Sequence, residues 1–115
     1  MPTIKIKPLS VNKVWQGKRF KTPAYKKYER EMMLLMPDVE IPDGQLHVYY
    51  EFGFSSSASD IDNPIKPLQD ILQKRYGFDD KRIRQLTVSK EKVKKGEEYL
   101  IYVITEYKQN IKDHS

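Results

Sequence analysis

The segment Asp60-Ile61-Asp62-Asn63-Pro64-Ile65-Lys66, followed by Asp70 and then Gly77-Phe78-Asp79-Asp80, sets several carboxylates and one ammonium around a short stretch of helical periodicity. Asp60 and Asp62 are two apart, so an extended backbone would turn both carboxylates to one side. They stand just before a helix start, where free N–H groups and the helix dipole favour negative charge. Asp79 and Asp80 follow the helix end, and the fold could bring them back toward the first pair. Clustered carboxylates repel one another unless a cation joins them, and an all-oxygen donor set selects a hard ion, Mg²⁺ or Mn²⁺. Beside a phosphodiester such an ion can activate water and stabilise the leaving oxygen. Lys66 lies in the first helical turn, against the dipole, with Asp70 four residues on. A cation placed there points to a local negative partner, either the carboxylates or a phosphate whose charge grows in a transition state.

Each residue also has a purely structural reading. Asp62 or Asn63 could cap the helix. Lys66 and Asp70 could be one exposed i,i+4 pair worth a few tenths of a kcal/mol. Asp79 and Asp80 could be turn acids. Singly, those readings are the stronger; for the set together, the functional one is. A calcium-loop reading fails, because Pro64 takes a ligand position and the required glycine and closing glutamate are missing.

The elements that must position this set are legible from periodicity. Residues 3–9 alternate apolar and basic, as a short edge strand does. Residues 10–21 read as a basic loop carrying Trp15 and Gly17. Thr22-Pro23 is a cap followed by proline at the first helical position, and this helix should stop before Pro37. Its apolar side is Tyr25, Tyr28, Met32, Leu35 and Met36, with Lys26, Lys27 and Arg30 opposite. Leu46, Val48, Tyr50, Phe52 and Phe54 alternate with more polar residues, which predicts a strand with one buried face. Asn63-Pro64 reads as cap and proline for a second helix with an apolar stripe of Ile65, Leu68, Ile71 and Leu72, ended by Gly77. Residues 83–89 alternate weakly, and Lys95-Gly96 turns the chain into a strong strand over 99–107. His47 falls on the less apolar face of its strand, as a structural histidine. The whole is one small α/β (α+β) domain over 1–115, about four strands in a mixed sheet with two helices packed on it and a frayed tail from about 108.

The chain has 115 residues, 38% of them hydrophobic and 32% charged, which suits one surface-rich domain. The absence of cysteine excludes a disulfide framework, a thiolate zinc site and a thiol nucleophile, and two histidines cannot build a His-rich metal site. No apolar run has membrane-spanning length and no signal peptide opens the chain, so no membrane is expected and a reducing cytoplasm is; no small-molecule cofactor is expected either. Net charge is +5. Between Lys13 and Arg30 stand Lys13, Lys18, Arg19, Lys21, Lys26, Lys27 and Arg30 against Glu29 alone, so the positive charge is concentrated as a phosphate-backbone surface requires. Within it, Trp15 could stack on an unpaired base or pack beneath the loop. Lys90, Lys92, Lys94 and Lys95 read as a solvated turn near a hairpin.

DIDNPIKPLQDIL followed by YGFDDKRI resembles the RusA family of Holliday-junction resolvases, in which Asp-x-Asp-Asn, a Lys three residues on, a helical Asp, a Gly and an acidic pair recur in this order. The opening SVNKVWQGKRFKTPAYKKY, with Ser10-x-Asn12 before a basic aromatic stretch, is similar to the family's. The resemblance runs from about Pro8 to Tyr107. It implies a small homodimeric endonuclease, often of phage or prophage origin, that binds four-way DNA junctions in recombination and repair in a bacterial cell and nicks two strands symmetrically with Mg²⁺ or Mn²⁺. It implies metal-binding roles for Asp60, Asp62 and Asp80, with Asp79 a bystander or additional ligand, and a catalytic role for Lys66. DNA contacts fall to Asn12, Lys13, Trp15, Lys18, Arg19, Lys21, Lys26, Lys27 and Arg30. Some relatives carry arginines just before the first Asp, where this chain has Ser55-Ser56-Ser57-Ala58-Ser59. The competing readings are a junction-binding protein of the same fold that does not cut, and a structural domain with incidental surface charge.

Overall fold

The computed structural model describes residues 2–17 and 20–109. The main sheet has four strands: β1 (Thr3–Ile4), β4 (Leu46–Phe54), β5 (Ile83–Lys92) and β6 (Tyr99–Glu106), in the order β1-β6-β4-β5. A separate hairpin pairs β2 (Trp15–Gln16) with β3 (Phe20–Lys21). The helices are α1 (Pro23–Leu35) and α2 (Ile65–Tyr76).

β4 is the spine. Leu46, Val48, Tyr50 and Phe52 are fully buried, and β6 sets Ile104, Tyr102 and Leu100 opposite the last three. Tyr25, Tyr28 and Met32 of α1 and Leu68, Ile71 and Leu72 of α2 join the same cluster. Both helices therefore cover one sheet face, as the period-2 and period-3.6 patterns require. The other face carries a polar aromatic network. Tyr49 and Tyr99 donate hydroxyl hydrogens to opposite oxygens of Glu51, and His47 Nε2 meets Thr87 Oγ1 at 2.9 Å. The hydrogen bonds from Tyr99 and Tyr49 hold Glu51 below the usual carboxylate range.

β4 and β5 are parallel, and α2 is their crossover connection. This single fact decides where the acidic residues go. The turn holding Asp60 and Asp62 leaves the C-terminal end of β4, whereas Asp79 and Asp80 enter the N-terminal end of β5. A twelve-residue helix, about 18 Å long, runs between them.

Several details differ from the sequence reading. β1 keeps ladder pairing over only two residues of the expected 3–9 strand, because Ile6 N–H turns back to Ile4 O and Pro8 has no N–H to give. The expected loop over 10–21 is instead a 3-10 turn at Val11–Lys13 followed by the β2–β3 hairpin. Leu35 is 51% exposed rather than part of the apolar stripe of α1. The second helix begins at Ile65 with Pro64 as its N-cap, and neither Asp62 nor Asn63 gives it a side-chain cap. Lys90 to Lys95 do not border a hairpin between β5 and β6, because β4 lies between those strands. The tail expected to fray is described only as far as Gln109.

Candidate active site

Asp60 to Pro64 form consecutive turns, with Asn63 N–H donating to Asp60 O and Ile65 N–H to Asp62 O. The extended segment expected to align the two carboxylates is therefore absent. Both side chains are exposed. Asn63 contributes its carbonyl to Val11 N–H at 2.8 Å, which ties the acidic turn to the basic N-terminal segment. A cleft of about 530 Å³ lies along this junction and is lined by Lys13, Lys27, Tyr28, Asp60 and Asn63 among others.

Lys66 and Asp70 form an ion pair at 2.9 Å on the solvent side of α2. Hydrogen bonding and charge attraction from Asp70, with a smaller push from Asp80, raise the Lys66 pKa. The raised pKa favours the ammonium form, which suits stabilising anionic charge. Asp80 is half-buried and begins a 3-10 turn over Asp80–Arg82. Its backbone N–H donates to Gln73 Oε1 at 2.9 Å. Asp79 accepts from Lys81 N–H at 2.9 Å, and this bond, the largest cause, lowers its pKa. Asp79 therefore holds the turn that carries Asp80. Gly77 makes the sharp exit from α2 possible: it sits at φ 72°, in the left-handed region, and its N–H closes onto Gln73 O at 2.8 Å.

The structure thus sets Lys66, Asp70 and Asp80 along one side of α2, with Asp60 and Asp62 on the turn that leads into its first residues. The donor chemistry suits a hard divalent ion, but among the described residues no three His, Cys, Asp or Glu side chains of one chain are placed to hold a metal.

Of the expected DNA contacts, Asn12, Lys13, Lys26, Lys27 and Arg30 are all exposed. Lys18 and Arg19 lie outside the described residues. Lys21 is half-buried, with its ammonium 4.3 Å from the Tyr25 ring centroid and 5.4 Å from that of Trp15. Trp15 is 52% exposed, so packing beneath the loop is not its role. Phe20, 73% exposed on the second hairpin strand, was not foreseen. The signal was present as an aromatic flanked by Arg19 and Lys21.

No curated protein matches the chain. The family model described as endodeoxyribonuclease RusA matches residues 5–104. That match covers most of the sequence and takes in the acidic turn, α2, the Asp79-Asp80 turn and the basic hairpin together, so the chain belongs to the RusA family and is an endodeoxyribonuclease of the Holliday-junction resolvase type.

Proposed function

We propose that the protein resolves four-way DNA junctions by paired, symmetric nicks that depend on Mg²⁺ or Mn²⁺, acting as a homodimer within a bacterial cytoplasm on phage or prophage recombination substrates. The observation that carries this reading is the bond from Val11 N–H to Asn63 O, because it sets the basic segment against the acidic turn along one cleft. A phosphate backbone attracted by Lys13, Lys27 and the α1 cations is thereby led past Asp60.

Asp60, Asp62 and Asp80 are the proposed ligands, and a bound divalent ion would neutralise phosphate charge and activate water. That no three carboxylates group to hold a metal within the described residues of one chain supports the dimer: a second protomer can bring its own Asp80 turn to the first protomer's Asp60 turn. Lys66, held as a cation by Asp70, stabilises the charge that grows on the phosphate. Trp15 and Phe20 project from the hairpin as stacking surfaces for bases unpaired at a branch point.

The test uses Asp60→Asn and Asp80→Asn proteins. Each alone should bind junctions and fail to cut, and mixing the two under conditions of subunit exchange should restore nicking of single strands. Full cutting by either variant alone would contradict the ligand assignment. A reading as a binding-only relative predicts no cutting by the wild type either.

A further inference from the structure

We propose that Gln73 is the positioning residue for Asp80, an inference that rests on the metal-ligand role given to Asp80 above. Gln73 lies on α2 and holds the acidic turn from both ends of the same residue. Its backbone carbonyl accepts from Gly77 N–H at 2.8 Å and so fixes where the chain leaves the helix. Its side-chain Oε1 accepts from Asp80 N–H at 2.9 Å and so fixes where the chain arrives three residues later. The amide is itself oriented: Nε2 points back toward Gln69 O at 3.5 Å, which leaves Oε1 facing the turn. Gln69 in turn accepts from the hydroxyl of Tyr50, whose side chain is fully buried on the central strand. Asp80 is thus referenced to the core of the sheet through α2, while the turn around it is closed by Asp79 and by Arg82 N–H donating to Asp79 O at 3.0 Å.

This arrangement matters because a ligand carboxylate binds well only when its backbone is held before the ion arrives. Loss of a partner of a ligating side chain costs about 10–100-fold in metal affinity or activity, and Gln73, acting on the Asp80 backbone, is given the low end of that range. Asp60 and Asp62 sit on an exposed turn. Lys90 Nζ donates to Ser59 O beside it, and Asn63 Nδ2 to Asp60 Oδ2 at 3.5 Å, but among the described residues no side chain bonds the backbone of either Asp. Asp80 is therefore the preset member of the set, and Gln73 is what presets it.

The experiment measures Mn²⁺ dependence in three variants, Gln73→Leu, Gln73→Glu and Asp80→Asn, by two readouts: the Mn²⁺-induced rise in Tm and the Mn²⁺ midpoint for nicking a four-way junction. Junction binding in EDTA is measured alongside. Gln73→Leu removes the acceptor and should raise both Mn²⁺ midpoints about tenfold with EDTA-state junction binding unchanged. Gln73→Glu keeps an acceptor oxygen at the same reach and should restore a near-wild-type midpoint. An unshifted midpoint in Gln73→Leu, while Asp80→Asn loses its Mn²⁺ response, overturns the positioning role alone. A shifted midpoint in Gln73→Leu that Gln73→Glu fails to restore also overturns it. A wild-type Mn²⁺ response in Asp80→Asn overturns the ligand assignment, and this inference with it. Should Gln73→Leu not fold, an intact Mn²⁺ midpoint in Gln73→Ser, which cannot reach Asp80, would be the overturning result.

Discussion

Replacing Lys66 by alanine separates structure from chemistry. The Lys66 side chain is 60% exposed, and its ion pair among the described residues is the i,i+4 contact with Asp70. Exposed pairs of this kind contribute about 0.3–0.5 kcal/mol. Against that loss stand two gains of similar size: removal of a cation from the positive end of α2, about 0.3–1 kcal/mol, and the higher helix propensity of alanine. The net change in folding stability therefore runs from near zero to about 1 kcal/mol of stabilisation. Catalysis should respond differently. A donor aimed at developing charge accounts for roughly 2.7–4 kcal/mol of transition-state stabilisation, a rate loss on the order of 10²–10³. The assay pairs urea unfolding with single-turnover nicking of a labelled junction at saturating protein and Mg²⁺. A near-constant unfolding midpoint with a hundredfold slower cut is the expected pattern. Cutting within a factor of three of wild type would refute the role given to Lys66. A stability loss above about 2 kcal/mol would show that the residue is structural.

Asp60→Asn should abolish cutting yet preserve junction binding, as read by gel shift beside a nicking assay. Replacing Lys13 and Lys27 by alanine should flatten the salt dependence of junction affinity by about 0.9 in log–log slope per lost phosphate contact; an unchanged slope would remove the cleft from the DNA path. Gly53→Ala should destabilise by about 1–3 kcal/mol, because a β-carbon there would collide with the Tyr99 ring, which packs across Gly53. The penalty should largely vanish in a Tyr99→Ala background, and an equal penalty in both backgrounds would place the strain elsewhere. Burial raises the pKa of Tyr25, Tyr28, Tyr50 and Tyr102 above the ordinary phenol value of 10.0. The folded state therefore retains protons that the unfolded chain sheds, so stability is intact below pH 10 and falls above it, by about 1.4 kcal/mol per pH unit for each phenol. Urea melts at pH 8 and pH 11 check this, and equal midpoints would contradict it.

Much of the fold was legible because its signals are local. Thr22-Pro23 starts α1 as read, with Thr22 Oγ1 accepting from Tyr25 N–H, and the alternation from Leu46 to Phe54 marks the central strand and its buried face. The hairpin at Trp15 to Lys21 was missed because two residues per strand are too few to show a period. The parallel pairing of β4 and β5 is a long-range choice, invisible in either strand's composition, and it sets Asp60 and Asp80 at opposite ends of a strand pair. Spacing alone suggested that the carboxylates converge; among the described residues no three of them form a metal-holding group within one chain. The turn at Asp60 to Pro64 was misread for a related reason. The Asp-x-Asp pattern shares a side only on extended backbone, and Pro64 with the turn bonds around it bends this segment instead. Gln73 carried no signal at all, since a glutamine on a helix shows its use only when the turn it holds is seen.

Nicking of a labelled four-way junction beside a matched linear duplex, in Mg²⁺, Mn²⁺ or EDTA, decides whether the protein is a metal-dependent junction resolvase. Symmetric cuts in the junction alone, present with either metal and absent in EDTA, are the predicted result. Metal-independent cutting, or equal cutting of junction and duplex, would contradict the account.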